Sequence, residues 1–316
     1  MIIYHPPSIL FNAHLETIYP SLFRKVDALT YTRERIATPD DDFIDLDWLK
    51  NQHSELVIIS HGLEGNSHRA YVRGMAKAFY DAGFDTLSWN FRGCSEEMNR
   101  QLRFYHSGAT EDLDLIITHA IRQQRYSKIY LVGFSLGGNL TLKYLGEQGI
   151  NVYQEIKGSV TFSVPLDLHA SSIQISQRSN WIYSRRFLEA LKKKVIQKSK
   201  VRKEIDIAGI RKINELIQFD DRYTAPLHGF PNALEYYRQC SAIRFIREVK
   251  IPSLIVNAKN DPFLGKECYP AELLANNPFV TFESPERGGH VGFTLFNQNG
   301  LYWSELRALS FIQSIL

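Results

Sequence analysis

Cysteine is scarce in this chain of 316 residues: only Cys94, Cys240 and Cys268 occur, odd in number, widely spaced and without a Cys-x-x-Cys pair. That pattern excludes a disulfide framework and a cysteine-based zinc site, fits a reducing cytoplasm, and leaves all three thiols as packing residues. No run approaches the roughly 18 consecutive apolar residues of a membrane-spanning helix. Met1 to Pro7 lacks the basic-then-apolar order of a secretory leader, so no signal peptide is expected. His-Glu-x-x-His and comparable metal-ligand spacings are missing, which argues against metal catalysis and gives no reason to expect a cofactor. Repeats and low-complexity segments are missing too. Charge is nearly balanced, and a net +3 is too small to predict a nucleic-acid partner. With 44% hydrophobic and 22% charged residues, one large core carrying an insertion is the simplest organisation.

What the sequence does contain centres on Ile129-Tyr130-Leu131-Val132-Gly133-Phe134-Ser135-Leu136-Gly137-Gly138-Asn139-Leu140. A short apolar run of buried-strand type breaks into Gly-x-Ser-x-Gly and continues with apolar residues at helical spacing. This is the pattern of a nucleophile elbow, a sharp strand-to-helix turn in which Gly133 and Gly137 avoid the clashes that Cβ atoms would make. It places the Leu136 amide at the positive end of a helix, where an oxyanion can be held. A Gly-rich strand-to-helix turn is also common in parallel α/β proteins, so the rest of the chain must decide.

Around the elbow, strands and helices alternate. Tyr31–Ile36 and Asp42–Leu49 alternate polar and apolar residues, which predicts an antiparallel hairpin with one wet face and a turn at Thr38-Pro39-Asp40-Asp41. Residues 1–30 read as an extended arm with one helical turn, pinned by Asn12 and His14. Strands are expected at Leu56–Ser60, Phe84–Asn90, Gly158–Val164, Ser253–Asn257 and Val280–Glu283, and helices at Tyr71–Ala82, Asp112–Arg122 and Trp303–Ile315. The alternation implies a mostly parallel sheet flanked by helices, with right-handed crossovers. It stops between residues 166 and 245, where helical periodicity alone remains, including Trp181–Ile196 and Ile207–Phe219. The expected organisation is a core of residues 1–165 and 246–316 with a helical cap insertion of residues 166–245. Lys192-Lys193-Lys194, Lys198, Lys200, Arg202 and Lys203 in that insertion are expected as a solvated helix face. Contact with a negatively charged membrane surface or an anionic substrate is the minority reading.

A serine hydroxyl needs a base, usually a histidine whose tautomer is fixed by a carboxylate. Asp261 follows one predicted strand and His290 the last one, giving the chain order Ser135, Asp261, His290 that an α/β-hydrolase arrangement requires. Asp167, after the strand that follows the elbow, is the alternative acid. His61 is expected to brace its loop and His106 to anchor the turn Ser107–Thr110. The second oxyanion donor is expected to be the amide of Leu63 in the turn His61-Gly62-Leu63, partnering Leu136.

These motifs, with Trp89-Asn90-Phe91-Arg92-Gly93, Tyr105-His106-Ser107-Gly108, Asn260-Asp261-Pro262 and Gly288-Gly289-His290, resemble the YheT-like branch of the α/β-hydrolase superfamily. Asn12 to Pro20 is similar to that branch's N-terminal His-Leu-Gln-Thr segment, with Glu16 where glutamine is usual. The resemblance implies an α/β-hydrolase fold and Ser135, Asp261 and His290 as the triad of an esterase or acyltransferase. Animal relatives include membrane-associated lipases acting on phospholipids; their N-terminal transmembrane helix has no counterpart here. None of the ten histidines has Asp five positions later, the spacing that some acyltransferases of this superfamily carry. The leading expectation is a cofactor-free carboxylic ester hydrolase of short-to-medium acyl or lipid-like substrates. Trp181, Tyr183, Phe187 and Phe219 are candidates for an acyl pocket or for core packing. Acyl transfer from the same acyl-enzyme, or a non-catalytic binding protein on the same fold, are the alternatives.

Overall fold

The fully buried apolar runs become the middle of an eight-stranded sheet in a computed structural model that describes all residues except 1–2, 27–28 and 276. In chain order the strands are β1 (Thr32–Ala37), β2 (Phe43–Leu49), β3 (Glu55–Ser60), β4 (Asp85–Asn90), β5 (Lys128–Phe134), β6 (Ile156–Phe162), β7 (Ser253–Val256) and β8 (Val280–Glu283). Their order across the sheet is β1-β2-β4-β3-β5-β6-β7-β8. The β1–β2 and β2–β4 pairs are antiparallel and all others parallel. This is the α/β-hydrolase fold. Successive side chains of β3 and β5 enter opposite cores: Leu56, Ile58, Ile129 and Leu131 pack on one face, and Val57, Ile59, Tyr130 and Val132 on the other. Two covered faces explain why these strands read as unbroken apolar runs.

Helices α2 (Ala70–Asp81), α3 (Thr110–Arg122) and α4 (Leu136–Gln148) cover the sheet together with the closing helix Trp303–Ser314. Between β6 and β7 the described residues form no strand. They form α5 (Leu168–Ile175), α6 (Trp181–Ser199), the helix Ala233–Cys240 and several short turns. No helix among the described residues is long and apolar enough to cross a membrane.

Four local expectations need correction. The β1–β2 hairpin has no wet face on β2, because Arg33 and Arg35 lie directly opposite Asp47 and Asp45 and engage each carboxylate with two hydrogen bonds. Cross-strand charge pairing thus lets both carboxylates be buried. The N-terminal arm holds a helix of three turns, α1 (Ala13–Phe23), capped by Asn12, whose Oδ1 accepts from the Leu15 amide at 2.9 Å. Met1 and Ile2 of that arm lie outside the described residues. Residues 207–219 are not one helix: Gly209 adopts φ +70°, and Ile213 and Glu215 are extended. Ile210, Ile213, Leu216 and Phe219 recur every third residue, and short turns bury that row against Leu188 and Val195 as well as a helix would.

The lysine cluster is the fourth. Lys193, Lys200 and Lys203 are exposed, but Lys198 is fully buried and Lys194 nearly so. The Lys198 ammonium donates to Asn99 Oδ1 at 2.7 Å and to the carbonyls of Gln101 and Arg103, and sits 4.0 Å over the Phe104 ring. One side of the row therefore points into the protein and ties α6 to the loop after β4.

Candidate active site

The strand-to-helix turn at the end of β5 is as tight as its glycines imply. Ser135 has φ +52° and ψ −120°, a strained conformation for a residue with a side chain. A Cβ on Gly133 would lie 2.6 Å from the Gly137 carbonyl oxygen, and one on Gly137 would lie 2.4 Å from that of Ser60. Only glycine lets β3, β5 and α4 approach so closely. The turn holds Ser135 at the carboxyl edge of the sheet, at the N-terminus of α4.

Asp261 and His290 arrive from the loops after β7 and β8. The Asp261 carboxylate is buried, accepts from the Phe263 amide at 2.9 Å, and receives His290 Nδ1–H at 2.9 and 3.0 Å. With Nδ1 protonated, Nε2 is left to accept, and it lies 3.0 Å from Ser135 Oγ. The Phe263 ring packs 4.2 Å from the imidazole. Asp167, the alternative acid, instead caps α5, accepting from the Ala170 amide at 2.9 Å.

Sequence reasoning missed what holds these loops. The arm helix α1 inserts Glu16 and Thr17 beneath them. Glu16 Oε2 accepts from Asn260 Nδ2 at 2.7 Å and from the Gly288 amide at 3.1 Å, while Oε1 pairs with Arg287 at 2.8 Å. Thr17 Oγ1 accepts from the His290 amide at 2.9 Å. One buried carboxylate therefore joins the acid loop to the histidine loop. The departure from glutamine at position 16 was the available signal, since a buried carboxylate calls for a cation such as Arg287. His14 pins the arm as expected, through Tyr183 Oη at 3.1 Å.

The turn after β3 packs directly on the serine: a Cβ on Gly62 would lie 3.2 Å from Ser135 Cβ. His61 is fully buried and bridges two loops, donating from Nδ1 to the Gly62 carbonyl at 2.7 Å and accepting at Nε2 from the Phe91 amide at 3.1 Å. Burial pushes its pKa down to about 3, so it stays neutral as a brace. His106 accepts from the Gly108 amide at 3.1 Å, in the turn it was expected to anchor. Among the described residues, nothing accepts a hydrogen bond from the amide of Leu63 or of Leu136. Next to Leu63, Glu64 has φ +50° and is held by Tyr105 Oη at 2.8 Å and by Lys194 from α6 at 2.6 Å.

Two cavities meet at Ser135 and His290. One lies beneath the helices of residues 166–245, with Phe187 and Phe219 in its walls; the other runs between α1 and α6, past Tyr183 and Phe187. Trp181 is outside both and 57% exposed, so it is neither pocket wall nor core. Burial pushes the thiols of Cys94 and Cys268 up to about 11 and that of Cys240 to about 12, which keeps all three protonated at neutral pH.

The family described as Serine aminopeptidase, S33 matches residues 51–267. YheT of Escherichia coli (strain K12) is 36% identical over 290 residues, spanning 89% of this chain and 84% of its own. Phospholipase ABHD3 of Bos taurus is 28% identical, over 92% of this chain and 73% of its own. In structure, the Pyrococcus furiosus esterase Pf2001 superposes with a TM-score of 0.59 over 92% of this chain and 98% of its own; at 17% identity that likeness speaks for the fold alone. Taken with the extent of the YheT similarity, the chain belongs to the YheT-like branch of the α/β-hydrolases, a family of esterase and lipase type.

Proposed function

We propose that this protein hydrolyses carboxylic esters through an acyl-enzyme on Ser135, with His290 as base and then acid and Asp261 as the carboxylate that orients it. The observation that carries this reading is the continuous hydrogen-bonded line from Asp261 through His290 to Ser135 Oγ, each step near 3.0 Å. His290 Nε2 takes the hydroxyl proton as Oγ attacks the ester carbonyl. The unpartnered amides of Leu63 and Leu136 hold the oxyanion, and each such donor typically stabilises the transition state by about 2.7–4 kcal/mol. His290 then gives its proton to the departing alcohol, and water, activated by the same imidazole, releases the acid. Asp261 keeps Nδ1 protonated and compensates the imidazolium that forms.

Residues 166–245 act as a cap, and the apolar cavity beneath them suits an acyl chain. The similar proteins, an esterase and a phospholipase, agree with an ester or lipid-like substrate. A p-nitrophenyl ester series from acetate to palmitate, on wild type and Ser135→Ala, tests the reading. Turnover with a chain-length optimum that vanishes in Ser135→Ala is expected. Equal turnover in that variant would sink the mechanism, and labelling of Ser135 by a fluorophosphonate without ester turnover would favour acyl transfer to another acceptor.

A further inference from the structure

The two cavities at Ser135 are both partly open to solvent, but they differ in position and in charge. They share Leu63, Glu64, Ser135, Phe187, Phe263 and His290. Leu136 and Pro165 border only the first; Tyr71 and Val291, the residue after the histidine, border only the second. In the proposed reaction the bond between carbonyl carbon and alcohol oxygen breaks as His290 hands its proton to that oxygen, so the departing alcohol lies on the histidine side. The acyl group, bonded to Ser135 Oγ, extends the other way. His290 borders both cavities, so the allotment follows its neighbours: Leu136 on the first cavity and Val291 on the second place the acid half of the ester in the first and the alcohol half in the second.

The charges separate in the same sense. In the first cavity Lys194 is neutralised by Glu64 at 2.6 Å, and His106 and His228 are driven towards their neutral forms by burial. Asp220 there is hydrogen-bonded by Thr224 and Tyr237, each at 2.6 Å. Its other walls, such as Ile175, Leu191, Leu216 and Phe219, are apolar. In the second cavity Arg24 is neutralised by Glu305 at 2.6 Å and Glu64 by Lys194. Arg69 and Arg186 remain. Arg69 spends one donor on the Glu64 carbonyl at 2.9 Å, and among the described residues no carboxylate pairs with either guanidinium. A channel bordered by Ile18, Leu22 and Ala70 and by two exposed arginines that no carboxylate among the described residues compensates selects an alcohol that is amphiphilic and negatively charged.

We propose, building on the ester-hydrolase reading, that the alcohol half of the ester carries an anionic group, a phosphate or a carboxylate. Arg69 and Arg186 recognise it in the cavity between α1 and α6, while an uncharged acyl chain fills the cavity under the cap.

The test compares octanoyl esters that differ only in the alcohol: 1-octanoylglycerol, 1-octanoylglycerol 3-phosphate and 3-octanoylglycerate. At low salt the wild type is expected to favour at least one anionic ester over the neutral one by about tenfold or more in kcat/KM, mainly through KM. A phosphate-only preference identifies phosphate, and equal preference identifies a general anion site. The ratio should fall to about one or below in Arg186→Glu, persist in Arg186→Lys, and shrink as NaCl is raised. Arg186 is exposed, so these variants should fold; Arg69→Gln gives an independent second reading of the ratio. A wild-type ratio near one, or a preference that survives in both Arg186→Glu and Arg69→Gln, overturns the inference. If Ser135-dependent p-nitrophenyl ester turnover is present without discrimination among the glycerol esters, only the alcohol-side assignment falls. If no ester is cleaved, the hydrolase reading falls with it.

Discussion

The floor of the site and its roof are held by different physics. On the floor, the loops that carry Asp261 and His290 are fixed by short hydrogen bonds from their own backbone: the amides of Phe263, Gly288, Gly289, His290 and Val291 each donate to a side-chain oxygen. The roof helix α6 reaches down with long cationic side chains, Lys194 to Glu64 and Lys198 to the carbonyls of Gln101 and Arg103. A floor built from backbone amides fixes the line from Asp261 through His290 to Ser135 with groups that have no side-chain freedom to lose. A roof hung on ammonium groups can be weakened residue by residue without disturbing the Asp261–His290–Ser135 line. If the proposed triad and cap are correct, activity and the attachment of α6 should therefore be separable by mutation.

The largest expected effect comes from the floor. Ser135→Ala should lower ester turnover by about 10⁴-fold or more, because members of such a triad act as a unit. Its thermal midpoint should stay within a few degrees of wild type, and a large drop would show that the hydroxyl is structural. On the roof, Lys194→Met strands the Glu64 carboxylate, whose side chain is only 11% exposed. Breaking such a pair costs about 3 kcal/mol. In urea unfolding, Glu64→Gln combined with Lys194→Met should recover much of that loss, whereas additive losses would mean that the pair does not hold the roof.

A pH-dependent effect follows from Asp220, whose carboxyl burial pushes up from 3.8 to about 6. The folded protein then binds this proton more tightly than the unfolded chain. Its contribution to stability is complete below about pH 4 and is lost as pH rises through 6. Because Asp40, Asp42, Asp45 and Asp47 are shifted the other way, the readout is the difference between proteins: from pH 3.5 to 7 the thermal midpoint of wild type should fall relative to that of Asp220→Asn, and parallel profiles would contradict it. The smallest effect belongs to Trp181→Ala on the outer surface of α6, which should change stability by no more than about 0.5 kcal/mol in the same urea assay. A larger cost would mean that the roof rests on more than its lysines.

The floor was legible in the sequence because its geometry is local. A glycine-flanked serine between a strand and a helix permits one turn, and an acid and a histidine just after later strands must emerge at the same sheet edge. The strands were legible for a similar reason, since burial on both faces leaves unbroken apolar runs. The roof was not. Nothing in Lys192 to Lys203 distinguishes a solvated lysine from one that buries its ammonium among carbonyls, because the deciding partners Glu64, Asn99 and Arg103 lie 95 to 130 residues earlier in the chain. Glu16 and Thr17 escaped for the same reason, as their partners at Asn260 and His290 are more than 240 residues away. Residues 207–219 show the remaining ambiguity: an apolar residue every third position suits a helix or a series of short turns, and Gly209 tips the balance to turns.

The most direct test of the central claim is to mix enzyme and p-nitrophenyl octanoate, quench within milliseconds and weigh the protein and its peptides. An octanoyl increment on the peptide bearing Ser135, forming and decaying at rates compatible with turnover and absent from Ser135→Ala, is the expected result. Sustained Ser135-independent turnover, or an acyl group carried on a different residue, would contradict it.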